Sequence, residues 1–315
     1  MKRPAVGVIG AGRVGSVVAA RLIDAGHRVV GVSARSEASR LRAATMLPGI
    51  AVLSPAEVAE AADLVVLAVP DDALVAVAEE LAGAGVVRPG VVVVHTSGRH
   101  GLGALEALTR RGARPVALHP AMTFTGSAAD LGRSCVWGVT AEDAERELAS
   151  GLVATLGGTV LWVDEADRVR YHAALAHGAN HLVTLVAQSM ELLRGLGGGA
   201  ALSAAGGAST SEDDAPTAAD VLRPLLEAAL GNALELGDAA LTGPVARGDV
   251  TTVRAHVDAL DAAPSSTLEA YTALARATAD RAHVDGRLDA TTRAAVHQAT
   301  ADATGATADR STMEV

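Results

Sequence analysis

Apolar and polar positions follow two different rhythms along this chain, and the rhythm changes near residue 163. Before that point, short apolar runs at 5–9, 28–32, 64–69, 91–94, 115–118, 135–139 and 160–163 alternate with stretches whose apolar residues recur every three to four positions. Continuous apolar runs of this length fit strands of a parallel sheet covered on both faces. The stretches between them predict helices from the glycine cluster to Ala25, over 37–46, from Ser54-Pro55 with Glu57 completing a capping box, up to about Ala82, and over 141–156. A further short strand is expected around 50–53. This alternation predicts a doubly wound α/β domain over residues 1–163.

From residue 164 the strand signal vanishes. Asp164 is placed to cap a long helix reaching about Leu196, and further helices are expected over 218–236, 249–262, 267–282 and 288–304. The segment 197–216, rich in Gly, Ala, Ser and Asp, reads as a mobile loop, and the last ten residues as a frayed end. Residues 164–315 therefore form an all-helical second domain. Ligands of open α/β sheets bind beyond the carboxyl ends of the strands, so the substrate cleft is expected where the domains meet.

The first apolar run feeds directly into Gly10-Ala11-Gly12-Arg13-Val14-Gly15 and then a helix. In that context the first glycine permits the sharp turn and the second a close approach of backbone N–H groups to a pyrophosphate. The third permits tight helix–sheet packing. The residue type at the end of the second strand decides which dinucleotide fits, because an Asp or Glu there bonds a free ribose 2′-hydroxyl. This chain has Ser33-Ala34-Arg35-Ser36 and no carboxylate before Glu37. Ser33, Arg35 and Ser36 suit a 2′-phosphate, so NADP(H) is the expected cofactor. Val69-Pro70, after the next strand, is expected to border it.

The chain has 315 residues, 50% hydrophobic and 20% charged, with a net charge of −10. That balance leaves room for a sizeable core and speaks against nucleic acid or an anionic membrane as partner. An anionic small substrate then needs locally placed arginines. The opening residues lead straight into the first strand, and no apolar stretch is long enough to span a bilayer, so a cytoplasmic protein is expected. Cys135, the single cysteine, sits in a strand pattern and reads as core. Lys2 is the only lysine, so the proton donor to a reduced carbonyl must come from histidine, an acid or water.

Several polar clusters fall where the cleft should be. His95, directly after a central strand, is the preferred proton donor, with His119 and His172 as further candidates. Ser97-Gly98 offers a hydroxyl and backbone N–H groups to a carboxylate, or is an ordinary turn. On the long helix His177, Asn180, His181, Thr184 and Gln188 share one face, which is either solvated or presents Asn180 to a substrate oxygen. His177 and His181 have metal-compatible spacing but no third ligand, so no metal is expected. In Leu241-Thr242-Gly243-Pro244 and Arg247-Gly248-Asp249, Thr242 and Arg247 are candidates for the substrate carboxylate, with Asp249 capping the next helix.

At these residues the chain resembles a group of bacterial proteins that pair a Rossmann-like domain with a helical domain of unknown function. The resemblance rests on Gly10 to Gly15, Val69-Pro70-Asp71, His95-Thr96-Ser97-Gly98, Leu118-His119-Pro120 with Phe124, Tyr171-His172 with Asn180, and Leu241-Thr242-Gly243-Pro244 with Arg247-Gly248-Asp249. Some members of the group are regarded as an alternative class of ketopantoate reductase. The resemblance therefore implies an NADPH-dependent reductase of a small 2-oxo acid, with 2-dehydropantoate the leading substrate. An imine reductase of the pyrroline-5-carboxylate type, or a protein that binds NADP(H) without turnover, are the alternatives. More distantly the architecture is similar to the β-hydroxyacid dehydrogenases and 6-phosphogluconate dehydrogenase. That likeness implies a 6-phosphogluconate-dehydrogenase-like helical domain and a homodimer. Where the β-hydroxyacid group has a catalytic lysine, four residues before the helix asparagine, this chain has Ala176.

Overall fold

The computed structural model describes residues 3–196 and 216–311, with 302–311 as backbone only. The chain divides into two compact units, Met1–Ala179 and Asn180–Val315.

The first unit is built on a seven-stranded sheet. Its strands are β1 (Val6–Ile9), β2 (Val29–Ser33), β3 (Leu64–Leu67), β4 (Val92–His95), β5 (Arg114–Pro120), β6 (Val136–Ala141) and β7 (Thr159–Trp162), in the order β2-β1-β3-β4-β5-β6-β7. Every neighbouring pair is parallel except β5 and β6, which run antiparallel with His119 opposite Gly138. The reversal at β3 leaves a switch point beside β1, where the doubly wound fold opens a crevice. The strand expected at 50–53 is reduced to an isolated bridge between Val52 and Val32. Ser54 begins capping the next helix at once, so no residues remain to extend the pairing.

Alternate strand residues point to opposite faces, and each face receives its own helices. One face packs Val8, Val66, Val94 and Leu118 under α1 (Arg13–Asp24), α2 (Glu37–Met46) and α6 (Arg146–Thr155). The other packs Ile9, Val65, Leu67 and Val93 under α3 (Pro55–Glu60), α4 (Leu74–Ala84) and the short α5 (Glu106–Thr109). These pairings account for the uninterrupted apolar strands.

The helix expected over 164–196 consists of three pieces. A single 3-10 turn precedes α7 (Arg168–Leu175), a π-turn covers Ala176–Asn180, and α8 (His181–Arg194) follows. The compact first unit includes residues 164–179, beyond the expected boundary at 163, because Arg168 is buried against the sheet. The second unit is helical: α8, α9 (Ala218–Leu236), α10 (Gly243–Arg247), α11 (Val250–Leu260), α12 (Ser265–Val284) and α13 (Ala290–Ser311). Its core joins Val245, Val253, Ala275, Ala279, Leu288 and Val296, from α10 to α13. The loop expected at 197–216 lies, apart from Pro216, outside the described residues. The α13 helix passes the expected end near 304, and of the last ten residues 312–315 lie outside the description. No helix among the described residues is long and apolar enough to cross a membrane.

Candidate active site

The glycine-rich turn leaves β1 and enters α1. Gly10 has φ +105°, and a Cβ there would lie 2.4 Å from the carbonyl oxygen of Ala68 and 3.3 Å from the Val69 side chain. At Gly15 a Cβ would meet the Gly10 carbonyl oxygen. Those two glycines are thus demanded by packing against the end of β3, which seats Val69 beside the turn, with Pro70 next in the chain. At Gly12 a Cβ would meet nothing nearer than the Ala68 oxygen at 4.0 Å. Gly12 is also the residue before α1, and no side chain caps that helix. The N–H groups at the start of α1, with exposed Arg13 and half-buried Val14 in the first turn, therefore face an uncrowded cradle that a side chain would fill. A dinucleotide pyrophosphate fits this arrangement.

At the end of β2 the three expected phosphate contacts separate. Ser33 is buried, and its hydroxyl accepts the Gly10 N–H at 3.0 Å, which makes it a brace of the turn. Ser36 caps α2, its hydroxyl accepting the Ser39 N–H at 3.1 Å. Arg35 is exposed and among the described residues no hydrogen bond or ion pair holds its guanidinium, while its carbonyl accepts a bond from Arg40 at 2.8 Å. Of the three, Arg35 is the side chain left for a phosphate.

His95 does not meet the requirements of a proton donor. It is fully buried, its Nε2 lies 2.9 Å from the Gly101 carbonyl oxygen, and its Nδ1 accepts the Ser97 N–H at 3.2 Å. Both ring nitrogens are spent on backbone, and burial pushes its pKa down to about 4. His95 is the internal pin of the 97–101 turn. Ser97 is also buried, and its hydroxyl accepts the His100 N–H at 3.2 Å, so that residue too serves the turn.

His119 is better placed. It lies near the carboxyl end of β5, partly exposed, with Nδ1 3.0 Å from the Tyr171 hydroxyl oxygen. The rings of Tyr171 and His172 meet it edge-on, with centroids at 5.6 Å and 5.9 Å. Gly98 is the floor of this group: a Cβ there would lie 2.5 Å from His172 Cδ2 and 3.0 Å from His119 Nε2. Burial, then His172 and Arg168, hold the His119 pKa down to about 4, so the ring is neutral near pH 7. Tyr171 fits because its partner strand carries Gly138, where a Cβ would lie 2.5 Å from the phenol oxygen. Burial raises the Tyr171 pKa, which keeps it protonated.

Beneath this group lies Arg168, 1% exposed. Its Nε donates to Thr140 Oγ1 at 2.8 Å, and its Nη2 donates to the carbonyl oxygens of Ala117 at 3.1 Å and Gly138 at 3.2 Å. Sequence reasoning did not reach Arg168, Gly138 or Thr140 and left Tyr171 aside. The available signal was the spacing of Arg168 and Tyr171, three apart on one helix face.

Residues 1–120 match the model of the Rossmann-like domain, and residues 135–278 match a domain of unknown function, DUF2520. The chain joins a Rossmann-like domain to a DUF2520 domain. The DUF2520 region therefore supplies Tyr171, His172 and Arg168, while the Rossmann-like region supplies the glycine turn, Gly98 and His119.

The remaining candidates lie in the helical unit of the DUF2520 region. Asn180 is exposed at the end of the π-turn. The extra residue of a π-turn shifts the faces that follow it, so the polar face expected from His177 to Gln188 is not continuous. Gln188 donates instead to the Ser266 carbonyl oxygen at 3.3 Å. Thr242 precedes α10 and lines a cleft of about 300 Å³ with Pro244, Gln188, His256 and Tyr271. Arg247 is exposed in the last turn of α10 and does not line that cleft, and Asp249 caps α11 as expected, accepting the Thr252 N–H at 3.1 Å.

No curated protein matches the chain in sequence. Among solved structures it is similar to a Bacteroides fragilis protein provisionally named an NADP oxidoreductase, with TM-score 0.71 and 22% identity over 89% of this chain and 99% of the other. An imine reductase from Pseudomonas sp. gives TM-score 0.60 and 19% identity over 94% and 99%. The pyrroline carboxylate reductase of Plasmodium falciparum, solved with NADP bound, gives 0.53 and 14% over 90% and 99%. These likenesses establish a shared fold.

Proposed function

We propose that the protein is an NADPH-dependent reductase of a small carbonyl or imine substrate. The observation that carries this reading is the placement of His119, paired with Tyr171, at the carboxyl end of the same sheet whose first strand presents the glycine turn. NADPH, when bound, supplies a hydride. Gly12 and the first turn of α1 would hold its pyrophosphate, and Arg35 its 2′-phosphate. The oxidoreductase names of the fold relatives point the same way.

His119 is the group that meets the substrate. With Nδ1 accepting from Tyr171, the proton sits on Nε2, which has no protein partner among the described residues and donates to the substrate heteroatom. A neutral imidazole in this role needs no protonation at pH 7. Gly98 packs close beside Nε2, where a Cβ would lie 3.0 Å away, so only a glycine there leaves both rings in place. Within the same unit His172 meets the His119 ring edge-on, with centroids 5.9 Å apart.

For the substrate we favour a 2-oxo acid, 2-dehydropantoate first. Cyclic imines are the second reading, favoured by the imine reductase and pyrroline carboxylate reductase among the fold relatives. We further infer a cytoplasmic homodimer, supported by the apolar side chains exposed on α8 and α9. The deciding experiment is NADPH oxidation with a panel of 2-oxo acids and cyclic imines, using wild type and His119→Gln. Turnover by wild type that falls at least about 100-fold in the variant is expected. Equal turnover by the two proteins would remove His119 from the chemistry.

A further inference from the structure

Arg168 carries a charge that its hydrogen bonds do not require. Its partners are the Thr140 hydroxyl and the carbonyl oxygens of Ala117 and Gly138, with a longer contact of 3.5 Å to that of Ser97. Among the described residues no carboxylate forms an ion pair with it. Glu165, one turn away, acts on the guanidinium through its charge but makes no ion pair with it; it is exposed and gives its two oxygens to the N–H groups of Leu102 at 2.8 Å and Gly103 at 3.2 Å. Burying a cation without an anion is costly, and a neutral donor would tie the same strand ends together without that penalty.

The surroundings offer a use for the charge. Arg168 and Tyr171 are three residues apart on α7, and both close on Gly138, one through its carbonyl oxygen and the other through the space its missing side chain leaves. Gly138 is the register partner of His119 across β5 and β6, and the Tyr171 hydroxyl bonds His119. Cation and phenol thus both meet Gly138, and the phenol in turn bonds the imidazole.

We infer that Arg168 is a positioning residue whose unneutralised guanidinium stabilises the phenolate of Tyr171, making Tyr171 the source of a proton relayed through His119. In the relay the Tyr171 O–H bond breaks as an Nδ1–H bond forms on His119. The Nε2–H bond breaks as the substrate heteroatom, made basic by hydride addition at its carbon, takes that proton. The products are reduced substrate, the other neutral tautomer of His119, and a tyrosinate facing Arg168. The substrate end of this relay rests on the reductase reading, whereas the coupling of Arg168 to Tyr171 does not.

The chain contains two tyrosines, so a Tyr271→Phe background leaves Tyr171 as its only phenol. In that background the phenolate absorbance is titrated without substrate or cofactor. Arg168→Gln is expected to move the Tyr171 midpoint up by about one pH unit or more, and Arg168→Lys by clearly less. Identical midpoints in the three proteins would overturn the inference. Should Arg168→Gln fail to fold, Arg168→Lys and the imidazole nitrogen shifts of wild type still decide. The expected His119 form carries its proton on Nε2, and a form protonated on Nδ1 would overturn the relay. If the coupling holds while no carbonyl or imine is reduced, the reductase reading fails instead.

Discussion

Gly98 leaves so little space that a single methyl group tests the cluster. A Cβ there would sit within contact of both His119 and His172, so Gly98→Ala must push two rings that share the site. Overpacking of this kind costs roughly 1 to 3 kcal/mol, and thermal unfolding is expected to show that loss together with a fall in turnover larger than the loss in NADPH affinity. Unchanged turnover would mean that the rings are not held as described. His95 yields a prediction of a different kind. Its folded pKa lies near 4, below the 6.5 of an unfolded imidazole, so the unfolded chain binds the extra proton between those values. Stability is therefore fully present above pH 6.5 and is lost as pH falls toward 4, by on the order of 3 kcal/mol for this one group. Urea unfolding at pH 7 and pH 5 should show it, and His95→Gln should reduce that dependence to the part that His119, also held near 4, contributes, while leaving NADPH binding intact. A slope unaffected by the substitution would reject the buried neutral imidazole. At the cofactor end, Arg35 is the expected phosphate ligand that remains uncommitted. Arg35→Ala should weaken NADPH by about tenfold or more while sparing NADH, and equal losses for the two cofactors would show that the arginine does not read the phosphate.

Elements were more legible than the contacts between them. The apolar runs mark all seven strands, and the helices at 37–46 and 218–236 appear where the period and caps place them. Local signals suffice there because each element satisfies its own backbone and buries one face. The pattern failed where tertiary context decides. The stretch 51–53 has strand character but meets only one edge partner before Ser54 starts a helix, and the π-turn at Ala176–Asn180 leaves no mark in hydrophobic period. At the site, the histidines and glycines were visible, but a buried Arg168 and the choice of His119 over His95 depend on which side chain faces which strand end. The loop from β5 to β6 is another case. There Asp130 Oδ2 accepts the N–H groups of Thr125 at 2.8 Å and Gly126 at 2.7 Å, while Arg21 of α1 donates to its carbonyl oxygen at 2.7 Å. Gly126, at φ +78°, then lies against Arg13 and Arg42, and so buttresses the start of α1. Asp130→Ala leaves those donors unpaired and should cost about 2 to 3 kcal/mol in chemical denaturation, with weaker NADPH binding; Asp130→Asn, which keeps an acceptor oxygen, should retain most of both. Full stability in the alanine variant would show that the loop stands without its carboxylate.

At the scale of the whole molecule, the described residues leave apolar surface uncovered on α8 and α9. No residue of α8 is buried, and in α9 only Ala218 is. Val183 is 71% exposed, Leu225 65% and Leu234 79%. At 100° per residue, Val221, Leu225 and Leu236 lie on one side of α9 and Leu230 and Leu234 on nearly the opposite side. A helix apolar on opposite sides belongs in an interior, yet packing against α8 can cover only one of them. A second copy of the chain brings the same two helices, so one symmetric contact would bury both sets at once, as isologous interfaces do. The expected state at micromolar concentration is therefore a dimer by sedimentation equilibrium. Leu225→Glu with Leu234→Glu should dissociate it, because each carboxylate would have to be desolvated at the contact. The variant's sheet unit should keep its fold and its NADPH binding, since neither the glycine turn nor its braces involve α9. A wild type that sediments as a monomer under these conditions would leave the apolar helices to another partner and end the homodimer reading.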